Sequence, residues 1–329
     1  MVNAVSKPNQ LCTAPMMDWS DRHCRFFFRL LAPRALVYTE MISTGAIIYG
    51  DAAKHLDFSI EEHPIAIQLG GSSPAELRKC ALEATRWGFD EINLNCGCPS
   101  ERVKRGNFGA SLMLDAQLVA DCVREMKIVT DVPVTVKHRL GVDTSDSYEF
   151  VSNFVDIVKK SGCTTFIVHA RIALLKGLSP KENREIPPLN YEFVYRLKND
   201  HQDCKFILNG GIDERSDIKS ILEKVDGIML GRSAYHHPEF LGEMSHAIHQ
   251  SKTIDTDTLI ERIHTYATEQ VRNGERLRSV VRHLLGLFHG KQGSKKWRQM
   301  LSNPDLLKTE NPDLILKAYE NVVTELSPS

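Results

Sequence analysis

Lys205-Phe206-Ile207-Leu208-Asn209-Gly210-Gly211 and Gly227-Ile228-Met229-Leu230-Gly231-Arg232 repeat one pattern, a short apolar run that stops at a glycine turn carrying a polar side chain. Between them Arg215–Glu223 places Ile218, Ile221 and Leu222 at helical spacing among charged residues. That is a strand, a crossover helix and a second strand. Moving outward, the same reading predicts strands at Leu11–Met16, Ala35–Met41, Ile65–Gly70, Glu91–Cys96, Val134–Leu140 and Thr165–Ala170. Helices are predicted at Ser20–Leu31, Pro74–Trp87, Ala116–Val129, Tyr148–Ser161 and Tyr191–Asn199, with a shorter or irregular helix after Met41.

Eight strands divided by crossovers close a (β/α)8, or TIM, barrel. An open doubly wound sheet is the alternative, but the first strand runs into Ala14-Pro15-Met16-Met17-Asp18 and not into a Gly-x-Gly-x-x-Gly turn. The expectation is therefore an α/β chain, with a TIM barrel over residues 1–245 and a small all-helical domain over 246–329.

Bulk properties narrow the class. The 329 residues are 42% hydrophobic and 25% charged with a formal net charge of -1, so a polyanionic partner would have to be met by local patches. No run of about eighteen apolar residues is present and the N-terminus carries no apolar signal core, which predicts a cytoplasmic enzyme with no membrane association. The eight cysteines contain no Cys-x-x-Cys pair, so neither a metal site nor a disulfide framework is expected.

A barrel carries its chemistry at the C-terminal ends of its strands. The polar residues of this chain fall there: Pro15-Met16-Met17, Glu40, Gln68, Asn93 to Cys98, Lys137-His138-Arg139, His169-Ala170-Arg171, Asn209 to Gly211, and Gly231-Arg232. The glycine turns after the last two strands are the usual phosphate cradle of this fold. One phosphate with a ring over the barrel mouth suits FMN better than a dinucleotide. Lys137 could stabilise charge at the edge of a reduced flavin and Gln68 could pair with its amide-like edge, although a strand-end lysine also serves Schiff-base aldolases.

Ala14-Pro15-Met16-Met17-Asp18-Trp19-Ser20-Asp21, the block Asn93-Leu94-Asn95-Cys96-Gly97-Cys98-Pro99-Ser100 with its continuation to Met113, and Asn209-Gly210-Gly211-Ile212 together resemble the tRNA-dihydrouridine synthases. Leu178 to Leu189 is similar to the bacterial subgroup acting on D-loop uridines 20 and 20a. The resemblance implies that Cys98 is the proton donor and that Asn95 approaches the target base. It implies that Pro15, Met16, Met17, Gln68, Lys137, His169, Asn209, Gly210, Gly211, Gly231 and Arg232 bind FMN. NADPH as reductant and a helical C-terminal domain that binds tRNA are implied as well.

The chemistry makes separate sense of the cysteine. Reducing the C5=C6 bond of uracil needs a hydride at C6, which FMNH⁻ can supply, and a proton at C5, which a thiol on the opposite face can supply. Cys96, at the strand end itself, points elsewhere by alternation. His169 could meet a phosphate or the uracil carbonyls, and Arg171 the flavin or RNA.

A uridine inside folded tRNA must be extruded to reach such a site, which calls for cations flanking the mouth. Candidates are Arg102, Lys104 and Arg105 beside Cys98, and the stretch Lys176 to Lys181 with Asn183 and Arg184. A third group lies in Val271–Met300, where eight Lys and Arg, including Lys295, Lys296 and Arg298, face one carboxylate, Glu275. Apolar residues at helical spacing there predict helices with a basic outer face, which favours a polyanion, and the resemblance implies that this polyanion is the tRNA D-loop and elbow. No obligatory protein partner is expected. The competing readings are a small-molecule flavin reductase of the dihydroorotate or enoate type, and a non-catalytic tRNA-binding protein.

Overall fold

The computed structural model describes residues 10–100 and 106–326. Eight strands, β1 (Leu11–Thr13), β2 (Val37–Ser43), β3 (Ile65–Gly70), β4 (Glu91–Cys96), β5 (Val134–Arg139), β6 (Thr165–His169), β7 (Lys205–Asn209) and β8 (Gly227–Leu230), form one sheet in the order 1-8-7-6-5-4-3-2. Every pairing is parallel. β1 and β2 meet at Leu36, whose N–H donates to Leu11 O at 3.0 Å and whose carbonyl accepts from Thr13 N at 3.0 Å. That seam brings the ends of the sheet together as a nearly closed barrel, so the TIM-barrel expectation holds.

The crossover helices follow from local chemistry. In Pro74–Trp87, Ser73 caps the first turn, Pro74 occupies its start, and Gly88 closes the end in the left-handed region. Leu77, Cys80, Ala81 and Ala84 form its buried stripe, and truncating Leu77 to Ala would cost about 2–5 kcal/mol. The interval after β2 holds two short helices, Thr44–Ile48 and Ala52–Leu56, in place of the one irregular helix expected there.

The barrel interior is mostly apolar: Cys12, Ala14, Leu36, Tyr38, Ala66, Ile167, Ile207 and Met229 cluster there, with Met16 packed against them. β4 is different. Alternation sends Ile92, Leu94 and Cys96 outward and turns Glu91, Asn93 and Asn95 into the barrel, all three buried.

The chain divides into two compact units. Of the described residues, one unit contains those up to Met17 with those between Leu36 and Gly231, and the other contains Asp18–Ala35 with those from Arg232 onward. The expected dividing point at 245/246 falls inside the helix Pro238–His249 of the second unit. The helix Arg22–Leu31, which sequence order assigns to the barrel, belongs to the second unit because its partners are there. Phe26 stacks on Tyr266 with ring centroids 3.8 Å apart, and Tyr266 Oη lies 2.8 Å from His23 Nδ1. Asp21 caps this helix and also binds Arg282 and His283. The remainder of that unit is the helical C-terminal region, from Arg232–His236 through Thr256–Arg272 and Ser294–Leu301 to Asp313–Leu326.

Among the described residues no helix is long and apolar enough to cross a membrane, and no three His, Cys, Asp or Glu side chains gather as a metal site.

Candidate active site

Parallel strands put all their C-terminal ends on one rim, so the turns after β3 to β8 converge there by construction. β4 leaves the barrel through Asn95, whose side-chain oxygen accepts from the backbone N–H groups of Gly97 and Cys98, both at 3.0 Å. This turn lifts Cys98 onto the rim. Pro99 follows it, and Ala110 N donates to Cys98 O at 2.9 Å, holding the loop from its far side. All eight cysteines are free thiols and seven are buried; Cys98 alone is partly exposed, with its Sγ 3.5 Å from Ser100 Oγ. Cys96 is fully buried, and desolvation, with Cys122 and Cys163 nearby, pushes its thiol up and keeps it inert.

β5 sends Lys137 and Arg139 to the same rim. Lys137 Nζ donates to Asn209 Oδ1 at 2.9 Å, and Asn209 Nδ2 donates to Met229 O at 2.8 Å, which ties β5, β7 and β8 together at the mouth. Burial, with Arg139 close by, lowers Lys137 to about 7, while the Cys98 sulfur favours its charged form. Arg139 is buried and spans two loops: its Nε donates to Gly97 O at 3.2 Å, and its Nη1 to Asn183 O at 2.9 Å and Ile172 O at 3.3 Å.

His169 ends β6 and is held well below its ordinary value by burial and by four cations, Arg139, Lys137, Arg171 and Arg184. Its Nδ1 is buried and has no hydrogen-bond partner in the protein. A neutral imidazole inside a ring of cations is suited to an anionic guest.

The glycine turns fit the same guest. Gly210 and Gly211 have φ of +105° and +70°, the left-handed region that glycine adopts without strain. A Cβ on Gly210 would stand 3.1 Å from His169 Nε2. At Gly231 the nearest protein atom to such a Cβ is Ala14 Cβ, at 3.5 Å, so the protein leaves that glycine space. Tyr191 Oη steadies the cradle by donating to Gly210 O at 2.7 Å. An orphaned buried nitrogen, a positive mouth and an open glycine cradle fit FMN, whose phosphate the backbone amides would hold and whose ring Lys137, Gln68 and Met16 would meet.

The rim thus brings together Pro15, Met16, Gln68, Asn95, Cys98, Lys137, His169, Asn209, Gly210, Gly211 and Gly231, in line with strand-end reasoning. Met17 follows them and is 52% exposed. Arg232 is the first residue of the helix Arg232–His236 in the second unit. Arg102, Lys104 and Arg105 lie outside the described residues.

Of the other expected RNA contacts, Lys181 and Arg184 are exposed. Arg171 Nη1 donates to the carbonyls of Glu185, at 3.2 Å, and Pro187. Asn183 is wholly buried, its amide spent on Leu174, Leu178 and Ser179 of its own loop, so it shapes that loop. Lys295, Lys296 and Arg298 are exposed on Ser294–Leu301, while Trp297 points inward and donates to Leu284 O at 2.8 Å. Arg139 stands at a strand end, yet sequence reasoning gives it no task. The signal that could have found it is its position two residues past Lys137, which puts both on one face of a strand.

A family profile for Dihydrouridine synthase (Dus) matches residues 12–323. A tRNA-dihydrouridine(20/20a) synthase of Xanthomonas axonopodis pv. citri is 51% identical over 315 residues, covering 96% of this chain and 94% of that relative. One from Vibrio vulnificus is 50% identical over 320 residues, covering 96% and 98%. Among solved structures, morphinone reductase in complex with tetrahydroNAD superposes with a TM-score of 0.52 at 14% identity, covering 78% of this chain and 91% of that one, a likeness of fold alone.

Proposed function

The chain belongs to the dihydrouridine synthase family, and on that premise we propose that it reduces uridines 20 and 20a of the tRNA D-loop, with Cys98 as the proton donor. As a member of the family it is an FMN-dependent oxidoreductase that takes its electrons from NAD(P)H and reduces the C5=C6 bond of D-loop uridine. The choice of positions follows the names of the relatives, and NADPH is the reductant we expect.

When bound, reduced FMN would supply the hydride required at C6. The protein supplies the proton and the geometry. Cys98 is the one thiol on the rim, and the neighbouring cations Lys137 and Arg139 stabilise negative charge there. The task assigned to the thiol is delivery of a proton to C5 from the face opposite the flavin. Asn95 fixes that loop by its side-chain oxygen and faces the base by its position. Gln68, Lys137, His169, Pro15 to Met17 and the glycine turns are the proposed flavin contacts, Arg232 included through its place directly after Gly231.

Uridine must leave its stack to reach this rim, and the exposed cations Lys181, Arg184, Lys295, Lys296 and Arg298 are the proposed grips on the RNA backbone, with Arg171 and Asn183 holding the loop that carries the first two. Arg102, Lys104 and Arg105 are proposed as further grips from their sequence position beside Cys98. Eight free thiols agree with a reducing compartment, and we place the protein in the cytoplasm.

The observation that carries the reading is the pairing of one rim thiol with an anion cradle on the strands across the barrel. The test is to incubate the protein, FMN and NADPH with unmodified tRNA and map dihydrouridine by position. Reduction at 20 and 20a supports the proposal; reduction elsewhere in the D-loop corrects the positions, and none at all overturns it.

A further inference from the structure

Barrels of this kind fill their interiors with branched apolar side chains. Here β4 turns three polar residues inward, and they are joined in one line that begins at the Cys98 loop and ends at the carboxylate of Glu91. Asn95 Nδ2 donates to Gln68 Oε1 at 2.7 Å, Gln68 Nε2 to Asn93 Oδ1 at 2.8 Å, and Asn93 Nδ2 to Thr135 Oγ1 at 2.8 Å. Thr135 Oγ1 then donates to Glu91 Oε1 at 2.7 Å, and Tyr38 Oη donates to the same oxygen. Gln68, Asn93, Thr135 and Glu91 are each at most 2% exposed.

Both ends dictate the sense of this line. Backbone N–H groups can only donate, so Gly97 and Cys98 require the oxygen of Asn95 to face them. Its nitrogen must then face Gln68, which must present its oxygen there and its nitrogen to Asn93. At the base Glu91 accepts from two hydroxyls. Burial pushes its carboxyl up to about 7 while the hydrogen bonds from Tyr38 and Thr135 favour its ionised form. A buried polar line is costly unless every member is satisfied, and this one serves no packing purpose that leucines would not serve better.

We propose that Asn93, backed by Thr135 and Glu91, is a positioning residue that fixes which amide atom of Gln68 and of Asn95 is turned to the active site. The proposal rests on the reading of Gln68 as a flavin contact and Asn95 as a contact of the target base. A flipped Gln68 would exchange the oxygen and nitrogen it offers the ligand, and it would set its own N–H against that of Asn95.

The test uses the FMN-loaded protein with Asn93→Leu and Asn93→Asp. Leucine keeps the branched outline of asparagine, in a somewhat larger side chain, and removes the acceptor that Gln68 needs; aspartate keeps that acceptor and lets Thr135 turn its proton toward it. Three properties are measured: the visible spectrum of the bound flavin, its midpoint potential, and the single-turnover rate at which unmodified tRNA reoxidises it. The titratable neighbours of the base, Glu91, Tyr38, Cys12, Cys163 and Lys205, make one fixed pH obligatory for all variants.

Asn93→Leu is expected to shift the spectrum and potential and to slow reoxidation about tenfold, the scale of one buried hydrogen bond, with Asn93→Asp recovering most of the activity. A role in filling space alone predicts the reverse order, since an apolar side chain of the same branched shape is better tolerated beside Glu91 than a second buried acid. That reverse order, or a Leu variant with wild-type spectrum, potential and rate, overturns the proposal. Should Asn93→Leu not fold, Thr135→Val is the substitute, expected to act in the same direction and fatal to the idea if silent. If the wild-type flavin is not reoxidised by tRNA the function itself is misread, whereas the spectrum and potential still report on Asn93.

Discussion

The Nζ of Lys137, on β5, reaches past β6 to donate a 2.9 Å hydrogen bond to Asn209 Oδ1 on β7. Asn209 is itself anchored to β8 through Met229 O, so the Lys137 side chain stands fixed beside the Gly210 and Gly231 turns before any ligand arrives. A flexible lysine would lose rotamer freedom on meeting an anion; here folding has already taken that loss.

This arrangement predicts a pH signature. Lys137 titrates at about 7 in the ligand-free protein against an ordinary 10.5. Below pH 7 native and unfolded chains both hold the proton. Between about 7 and 10.5 the unfolded chain holds more, so stability rises with pH, on the order of 1 kcal/mol from pH 7 to 8.5. FMN bound as proposed would add negative charge beside the lysine and raise its pKa, so binding should take up a proton and affinity should fall as pH climbs above 7. Calorimetric titration with FMN in buffers of different ionisation heat should show this uptake, and Lys137→Met should abolish it.

Removing the thiol separates the two half-reactions. Cys98→Ala should leave NADPH able to bleach the bound flavin at the wild-type rate, because the residues proposed to hold the flavin are untouched. Reoxidation by unmodified tRNA should slow by about 10²–10⁴, the usual contribution of a positioned acid. Anaerobic stopped-flow absorbance measures both steps, and an unchanged second step would remove Cys98 from the role.

The two glycine turns should respond differently to alanine. At Gly210 the φ of +105° is hostile to a side chain and the added Cβ would press on His169, so Gly210→Ala should cost about 1–3 kcal/mol of stability as well as FMN affinity. At Gly231 no positive φ is imposed and the added methyl meets nothing closer than 3.5 Å. Gly231→Ala should therefore melt like the wild type and still bind FMN at least about tenfold more weakly, a difference that reports the ligand's own approach to this turn. Thermal melting with and without FMN, together with a fluorescence titration, distinguishes the two.

Much of this is open to sequence reasoning because a buried parallel strand reads as an apolar run, and any polar residue that ends one is conspicuous. β3, β4, β7 and β8 begin and end where that rule puts them. β1 ends as a ladder at Thr13, although Ala14 N still donates to Leu230 O at 2.7 Å, and β2 starts late because Leu36 is spent on the seam with β1. The helix Arg22–Leu31 is legible as a helix, but sequence order gives it to the wrong unit. Its allegiance rests on Tyr266, Arg282 and His283, some 240 or more residues away, and no local pattern encodes such contacts. The line from Asn95 to Glu91 is hidden for a related reason: alternating Glu, Ile, Asn, Leu and Asn is also how a strand with one wet face is written, and only closure of the barrel makes that face dry.

Asp21 should carry much of the stability of the second unit. Its carboxylate caps Arg22–Leu31 by accepting from His23 N and Cys24 N, and binds Arg282 at 2.5 Å and His283 at 3.0 Å. Burial alone would raise its pKa, but His283, the Cys24 amide and Arg282 outweigh it and hold the carboxyl well below the usual range. A depressed folded pKa means the stabilisation is present above the ordinary carboxylate value and is lost as pH falls through the folded one. Asp21→Ala should cost about 2–4 kcal/mol at pH 7 by urea unfolding, and the gap from wild type should narrow at pH 3.

The basic helix gives a prediction that only a polyanion can satisfy. Lys295, Lys296 and Arg298 are exposed while Trp297 and Leu301 between and after them are buried, so alanine at the three cations should leave the fold intact. Every cation that neutralises a phosphate steepens the dependence of log affinity on log salt by about 0.7–0.9, and its removal should flatten it by as much. The triple alanine variant should therefore bind unmodified tRNA more weakly at low salt and converge on the wild type as salt rises, with FMN loading and NADPH bleaching unchanged. Filter binding across a salt series reads the slope directly. An unaltered slope would place the RNA on another face and leave these cations as solvated surface.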